Sequence, residues 1–246
     1  MGPKSTYREH AAPDLAMGSQ LRTVALVLLL MSVNPAIAAS AGDDAIARTV
    51  EAYAALRSYS DVGVVLTHFI ANEDPTETKF ETAFARPALF RFSWISHHPF
   101  QPLRKIEWRS TIWADGVGVF SRFGFSEPVK TETQRSLISA IASATGVSGG
   151  SAYTVPSMLM PELGASYAIG LTSITLVGPD TFEGAACAHI AATNRRGDPV
   201  DLWIGAEDHL IRKVQMRLGG VLVEEIHRDI ITNQPIPLST FSPKVE

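Results

Sequence analysis

Several groups of residues in this chain have types that could do chemistry. Gly146-Val147-Ser148-Gly149-Gly150 has the Gly-x-Ser-x-Gly spacing of a nucleophile elbow. That motif works when a strand precedes the serine and a helix follows, so that the hydroxyl stands on a strained turn. Here a helical pattern precedes it and a Gly/Ser loop follows, which fits a hinge better. His189, His209 and His227 could supply a base, but no pattern positions them. Cys187 and His189 lie at i, i+2 and share one face of a strand, which could offer two ligands to a metal. No second Cys/His cluster completes such a site, and the reading is a buried thiol beside a hydrogen-bonded histidine. His97-His98 next to Pro99 read as a solvated loop. Asp198 with Asp201, and Glu224 with Glu225, have no surroundings that would push one carboxyl's pKa away from its neighbour's. Gly219-Gly220 is a turn, not a phosphate cradle. No catalytic residue, metal or cofactor is expected.

The elements that must hold these residues belong to a globular chain. Of 246 residues 46% are hydrophobic and 19% charged, enough apolar material for a real core. This excludes a disordered tail, a collagen-like repeat and a multi-span membrane protein. Lys+Arg number 21 against 25 Asp+Glu, a formal net charge of −4. A nucleic-acid binder shows a basic balance or stripe, and neither is present.

An export signal is expected at the N-terminus. Arg22 supplies positive charge, Val24–Val33 is an apolar run, and Ala36-Ile37-Ala38 has the small-x-small spacing of a cleavage site. The run is too short for a membrane span, which takes about 20 residues. Met17 would give an ordinary signal; residues 1–16 are an over-long start or an extended leader. The expected division is a signal over 1–38 and one domain over 39–246. Removing Lys4, Arg8, Arg22, Glu9 and Asp14 with the signal leaves a net charge of −5. Cys187 is the only cysteine, so no intramolecular disulfide can form, and none stands at the signal boundary to accept a lipid. The expectation is a soluble, non-lipidated protein of the periplasm with no stable membrane span after processing.

Asp43-Asp44 suit a helix start, and Ile46, Val50, Tyr53 and Ala54 follow at helical spacing to about Ser58. The period then changes to two. Val62, Val64 and Leu66 alternate, then Phe80, Thr82 and Phe84, then Phe90, Phe92 and Trp94, then Ile106, Trp108, Ser110 and Ile112. Asp115-Gly116 is a hairpin turn, and strand continues through Phe120. Thr131-x-x-Gln134 has the spacing of a capping box for a helix over 132–145, which Gly146 ends. Thr154 caps a short second helix carrying Met158, Leu159 and Met160. Strands follow near 171–178, 184–193, 199–204, 209–218 and 221–230, with turns at Pro179-Asp180, Arg196–Asp198, Gly205–Asp208 and Gly219-Gly220. The expected fold is mainly β with few helices (α+β): a curved antiparallel sheet with a helical insert and an N-terminal helix.

One face of this sheet is rich in rings. Phe80, Phe84, Phe90, Phe92, Trp94 and Trp108 fall on its apolar positions. Two readings stay open: an ordinary core covered by the helices, or a cavity closed by the insert and open to an apolar ligand.

Phe84-Ala85-Arg86-Pro87-Ala88-Leu89-Phe90-Arg91-Phe92 resembles the strand–Arg-Pro–strand segment of the periplasmic lipoprotein carrier LolA. Thr111–Gly116 is similar to that family's next hairpin, and Asn233–Pro237 with Phe241-Ser242-Pro243 to its C-terminal close. Gly184–Ile190 and Leu202-Trp203-Ile204 bring the chain nearer to LolA-like periplasmic proteins of unknown function. The resemblance covers most of residues 43–243. It implies an unclosed β-barrel with a helical lid over an apolar cavity, and it gives Arg86, the arginine of the Arg-Pro motif, the role of a lid latch. The Gly-x-x-Cys-x-His element departs from the carrier.

The resulting expectation is a non-enzymatic binding or carrier protein for a lipid or an acylated protein. Phe84, Phe92, Trp94, Trp108 and Ile112 would line the cavity, Met158 and Leu159 would cover it, and Arg86 would latch the lid. The alternative is an interaction or sensor module with a filled core and an envelope protein as partner.

Overall fold

The computed structural model describes residues 35–69, 74–97, 106–125, 128–163 and 166–242. The apolar run Val24–Val33, His98 and Pro243 lie outside these residues. Helix α1 spans Pro35–Ala55 and is followed by six strands: β1 (Ser58–His68), β2 (Thr76–Ala85), β3 (Leu89–His97), β4 (Glu107–Asp115), β5 (Val119–Arg122) and β6 (Thr131–Thr133). Helices α2 (Leu137–Thr145) and α3 (Thr154–Leu159) come next. Strands β7 (Thr172–Phe182), β8 (Ala185–Thr193), β9 (Pro199–Gly205), β10 (Ile211–Leu218) and β11 (Val221–Thr232) complete the sheet.

All eleven described strands form one antiparallel sheet in the order β6-β5-β4-β3-β2-β1-β11-β10-β9-β8-β7. Two meanders meet where the first strand pairs with the last, Val64 opposite Ile226. β6 and β7 are separate edges, so the sheet is not closed. The period-two patterns set its faces. Phe80 is paired with Trp94, Thr82 with Phe92, Phe84 with Phe90, and Phe92 with Ile112. These residues point to the same side, and all but the buried Thr82 join one core cluster with Ile141, Ala144, Met158 and Leu159 of the helices. α2 packs on β4 and β5, and α1 on β7 and α3. Gly63 is opposite Phe80, whose ring occupies the space a Cβ would need.

Four local expectations are corrected. α1 begins at Pro35, a residue suited to a first helical turn, so Asp43-Asp44 lie within the helix. Thr131 caps no helix: Thr131–Thr133 pair with β5, and the Gln134 side-chain amide donates to Ser121 Oγ at 2.6 Å. The free edge of β5 offers these residues more backbone hydrogen bonds than an exposed helical turn would. The cap passes to Ser136, whose hydroxyl accepts from the Ser139 N–H at 3.3 Å. Tyr153, not Thr154, is the cap residue of α3. β7 runs through Pro179-Asp180, and the turn falls at Glu183-Gly184, both with positive φ (48° and 84°). Because β7 is an edge strand, its proline forfeits no ladder bond on the open side.

Candidate functional site

Arg86 stands in the turn between β2 and β3. Its backbone N–H donates to the Arg57 carbonyl at 2.9 Å. The Nε donates to Leu56 O at 2.9 Å, and Nη2 to Ala54 O at 2.8 Å and Leu159 O at 2.9 Å. The first two acceptors close the C-terminal end of α1, and the third belongs to the last residue of α3. Helix C-termini leave carbonyls without partners and carry partial negative charge. One guanidinium therefore satisfies the ends of two helices from a strand turn, with its carbon 5.2 Å from the Phe84 ring centre. Arg86, expected as a latch, thus joins the β2–β3 turn to Leu159 at the end of α3.

Beneath the helices the rings touch one another. Phe80 stacks on Phe92 with centroids 5.6 Å apart, Phe92 lies 5.7 Å from Trp94, and Trp94 meets Phe123 edge-on at 5.7 Å. Phe84, Phe92, Trp94, Ile112, Met158 and Leu159 are all at most 2% exposed. Trp108 is half-buried and meets Phe125 at 6.1 Å, towards the rim of this face. Sequence placed these side chains on one face, and the described geometry makes them neighbours in a filled layer.

A polar network lies under α3 that the sequence reading missed. Thr154 of α3 donates its hydroxyl to Glu225 Oε2 at 2.8 Å. Glu225 Oε1 is 3.1 Å from His227 Nε2, and His227 Nδ1 is 2.6 Å from Asp61 Oδ2. Tyr59 donates its hydroxyl to the same Asp61 oxygen at 2.8 Å. Asp61, Glu225 and His227 are buried, and Asp61 Oδ1 has no hydrogen-bond partner among the described residues. Burial by itself would lower the His227 pKa, but hydrogen bonds and charge from Asp61 and Glu225 outweigh it and raise it to about 9. Burial and the Asp61 charge push the Tyr59 hydroxyl well above its usual range. A signal existed. Asp61, Glu225 and His227 occupy inward positions of otherwise apolar strands, where an ionised group needs a partner.

The other chemical candidates are engaged elsewhere. Ser148 is buried in the turn after α2, where its Oγ accepts from the Ala152 N–H at 3.1 Å and lies 3.4 Å from Thr145 O. Gly146 ends α2 with a right-handed φ of −68°, and the left-handed positions are Gly149 (69°) and Gly150 (101°). The Cys187 thiol is held above its usual pKa by burial and is 3.5 Å from Ala185 O. His189 binds Asp201 at 2.8 Å and stacks on Trp203 at 4.6 Å. Glu224 pairs with Lys213 at 2.5 Å and with His68 at 3.1 Å. His97 lies 3.7 Å from Glu107. Among the described residues no group of three or more His, Cys, Asp or Glu could hold a metal ion, and no helix is long and apolar enough to cross a membrane.

Comparison with solved structures gives low-identity likenesses over most of the chain. The Mycobacterium tuberculosis lipoprotein LppX is 14% identical with a TM-score of 0.46, covering 81% of this chain and 98% of that one. The Pseudomonas aeruginosa MucA/MucB complex contains a chain 12% identical with a TM-score of 0.47, covering 83% and 61%. A LolA superfamily protein from Nitrosomonas europaea is 9% identical with a TM-score of 0.35, covering 82% and 97%. No curated protein matches the chain. Residues 129–219, from the approach to β6 through β10, match the family described as "Predicted periplasmic protein (DUF2092)", and over that stretch the chain is similar to that family.

Proposed function

We propose that this chain is an exported, non-enzymatic binding protein that takes a lipid or a lipid-modified protein between the ringed face of its sheet and the cover formed by α2 and α3. In this reading residues 1–38 direct export and 39–246 act in the periplasm. Phe84, Phe92, Trp94, Trp108 and Ile112 form the wall, Met158 and Leu159 the cover, and Arg86 the fastening. The observation that carries the reading is the Arg86 tie to Leu159. It joins the cover to the sheet through hydrogen bonds to carbonyls, which release without breaking any strand pairing. Entry of a guest requires α3 to lift and the rings to part. Each acyl methylene then buried contributes about 0.8 kcal/mol towards that cost. Methionine at position 158 suits a cover that repacks on chains of different shape.

The mutual contact of the rings favours a second reading, in which the layer is a permanent core and a protein partner docks on a sheet edge or loop. Native mass spectrometry after incubation with dipalmitoylglycerol, an uncharged two-chain lipid, separates them. A one-to-one adduct supports the carrier; its absence, with no lipid extracted from protein purified from its own envelope, supports the module.

A further inference from the structure

The face of the sheet turned away from the helices carries a cleft of about 670 Å³ that the lid does not involve. Strand register fixes its floor. Val62, Glu81, Ser93, Thr111 and Arg122 form one row across β1 to β5, each paired with the next. Their parity is opposite to that of Phe80 and Phe92, so the row lies on the other face. A second cleft of about 340 Å³ shares Val62, Glu81, Arg91 and Ser93 and extends to Asp229, Ile231 and Thr240, with Asp61 at its edge. Together they make an elongated track across the outer face, with Arg91 at the junction.

The lining combines apolar surface with a fixed arginine that no carboxylate engages. Val62, Val64, Ile95, Trp113 and Val129 are apolar members of the lining, and Phe80 and Trp94, whose side chains face the helices, also border it. Trp113 is 2% exposed, and its indole N–H has no acceptor among the described residues. Five cations face three carboxylates. Lys79 pairs with Glu77 at 3.5 Å, Arg109 with Glu107 at 3.0 Å, and Arg228 with Glu183. Arg91 has no carboxylate partner among the described residues: its Nε donates to Ser93 Oγ at 2.9 Å and Nη1 to Thr240 O at 3.2 Å. These neutral acceptors fix the guanidinium and leave other N–H groups free. Arg122 makes no ion pair among the described residues. Glu81, exposed and also without an ion pair there, and Asp229 of the second cleft oppose these two charges, so the site rests on the fixed Arg91 fork and not on a net charge.

We propose that this track binds a single-chain amphiphile with a carboxylate head, of which a long-chain fatty acid is the simplest. The acyl chain lies over Val62 and Ile95, and the carboxylate is held by the Arg91 fork, with Arg122 adding positive potential. The volume lies within the range of about 300–1,000 Å³ usual for small-molecule sites. A small inorganic anion would leave the apolar floor unused, and an uncharged chain would leave Arg91 unused. The site is independent of the cover and of Arg86.

The test is calorimetric titration of the full chain with palmitate, methyl palmitate and inorganic phosphate. Palmitate is expected to bind one-to-one, methyl palmitate at least tenfold more weakly, and phosphate with no detectable heat. Arg91→Met is expected to weaken palmitate at least tenfold. Arg122→Met, which leaves the contacts of Arg91 intact, weakens it several-fold and serves if Arg91→Met does not fold. Arg196→Met, in the exposed turn between β8 and β9, removes the same charge and leaves binding unchanged. The proposal is overturned if methyl palmitate binds as tightly as palmitate, if phosphate binds as tightly, if both cleft variants bind palmitate like the unaltered chain, or if palmitate does not bind.

Discussion

Arg86 and Leu159 are 73 residues apart in sequence, and a single 2.9 Å hydrogen bond from Nη2 to the Leu159 carbonyl joins the β2–β3 turn to the end of α3. The same side chain closes the carbonyls of Ala54 and Leu56 at the end of α1. Arg86→Ala leaves all three acceptors without this donor. Hydrogen bonds to a charged group contribute about 1.5–3 kcal/mol each, and such losses do not add fully. The expected result is a loss of about 2–4 kcal/mol in urea unfolding. Arg86→Lys recovers only part of it, because an ammonium lacks the planar fork that reaches several acceptors. An unchanged unfolding midpoint in Arg86→Ala would remove the fastening from the account.

The network under α3 makes stability depend on pH. His227 faces Asp61 from β1 and Glu225 from its own strand, with Tyr59 on Asp61 and the Phe80 ring edge-on at 5.3 Å. Its folded pKa of about 9 lies above the ordinary 6.5. The stabilisation is therefore complete below about pH 6.5 and is lost as pH rises through 9. Its size is on the order of 3 kcal/mol. Urea titrations from pH 6 to 10 are expected to show this decline in the unaltered chain and a flatter profile in His227→Gln. Equal slopes in the two would contradict the charge assignment.

Thr154→Val keeps the shape of the side chain and removes its hydroxyl from Glu225. A buried carboxylate oxygen then loses a donor, which costs about 1–3 kcal/mol. Because the bond joins α3 to β11, the loss should appear locally. Amide exchange in residues 155–159 is expected to quicken at least tenfold while exchange in β9 and β10 follows only the global change. Uniform acceleration would mean that Thr154 contributes to the core as a whole and not to holding the cover.

Ser148 is a turn residue in this structure, with its hydroxyl against the backbone of Thr145 and Ala152. Ser148→Ala is expected to cost about 1 kcal/mol of stability and to leave any hydrolysis of p-nitrophenyl acetate unchanged. Hydrolysis that disappears in the variant would give the Gly-x-Ser-x-Gly motif a catalytic role.

The parts of the fold that were legible are those where one strand's pattern suffices. Phe80, Thr82 and Phe84, then Phe90, Phe92 and Trp94, alternate cleanly, and their register follows from which face is apolar. The unclosed meander and the chemical position of Arg86 were reached through resemblance, not period. What failed depends on a neighbour in space. Thr131–Thr133 look like a helix start until the free edge of β5 is known. The Asp61–His227–Glu225 network joins residues more than 160 positions apart, and only their inward parity hinted at it. The outer cleft stayed hidden for the same reason, since its row takes one residue from each of five strands.

Hydrogen exchange of residues 155–159, followed with and without dipalmitoylglycerol while native mass spectrometry counts bound lipid, addresses the carrier reading most directly. Binding beneath α3 predicts one lipid per chain and at least a tenfold change in exchange across that helix. Lipid that fails to bind, or that binds while exchange in α3 stays within twofold of the lipid-free value, would contradict it.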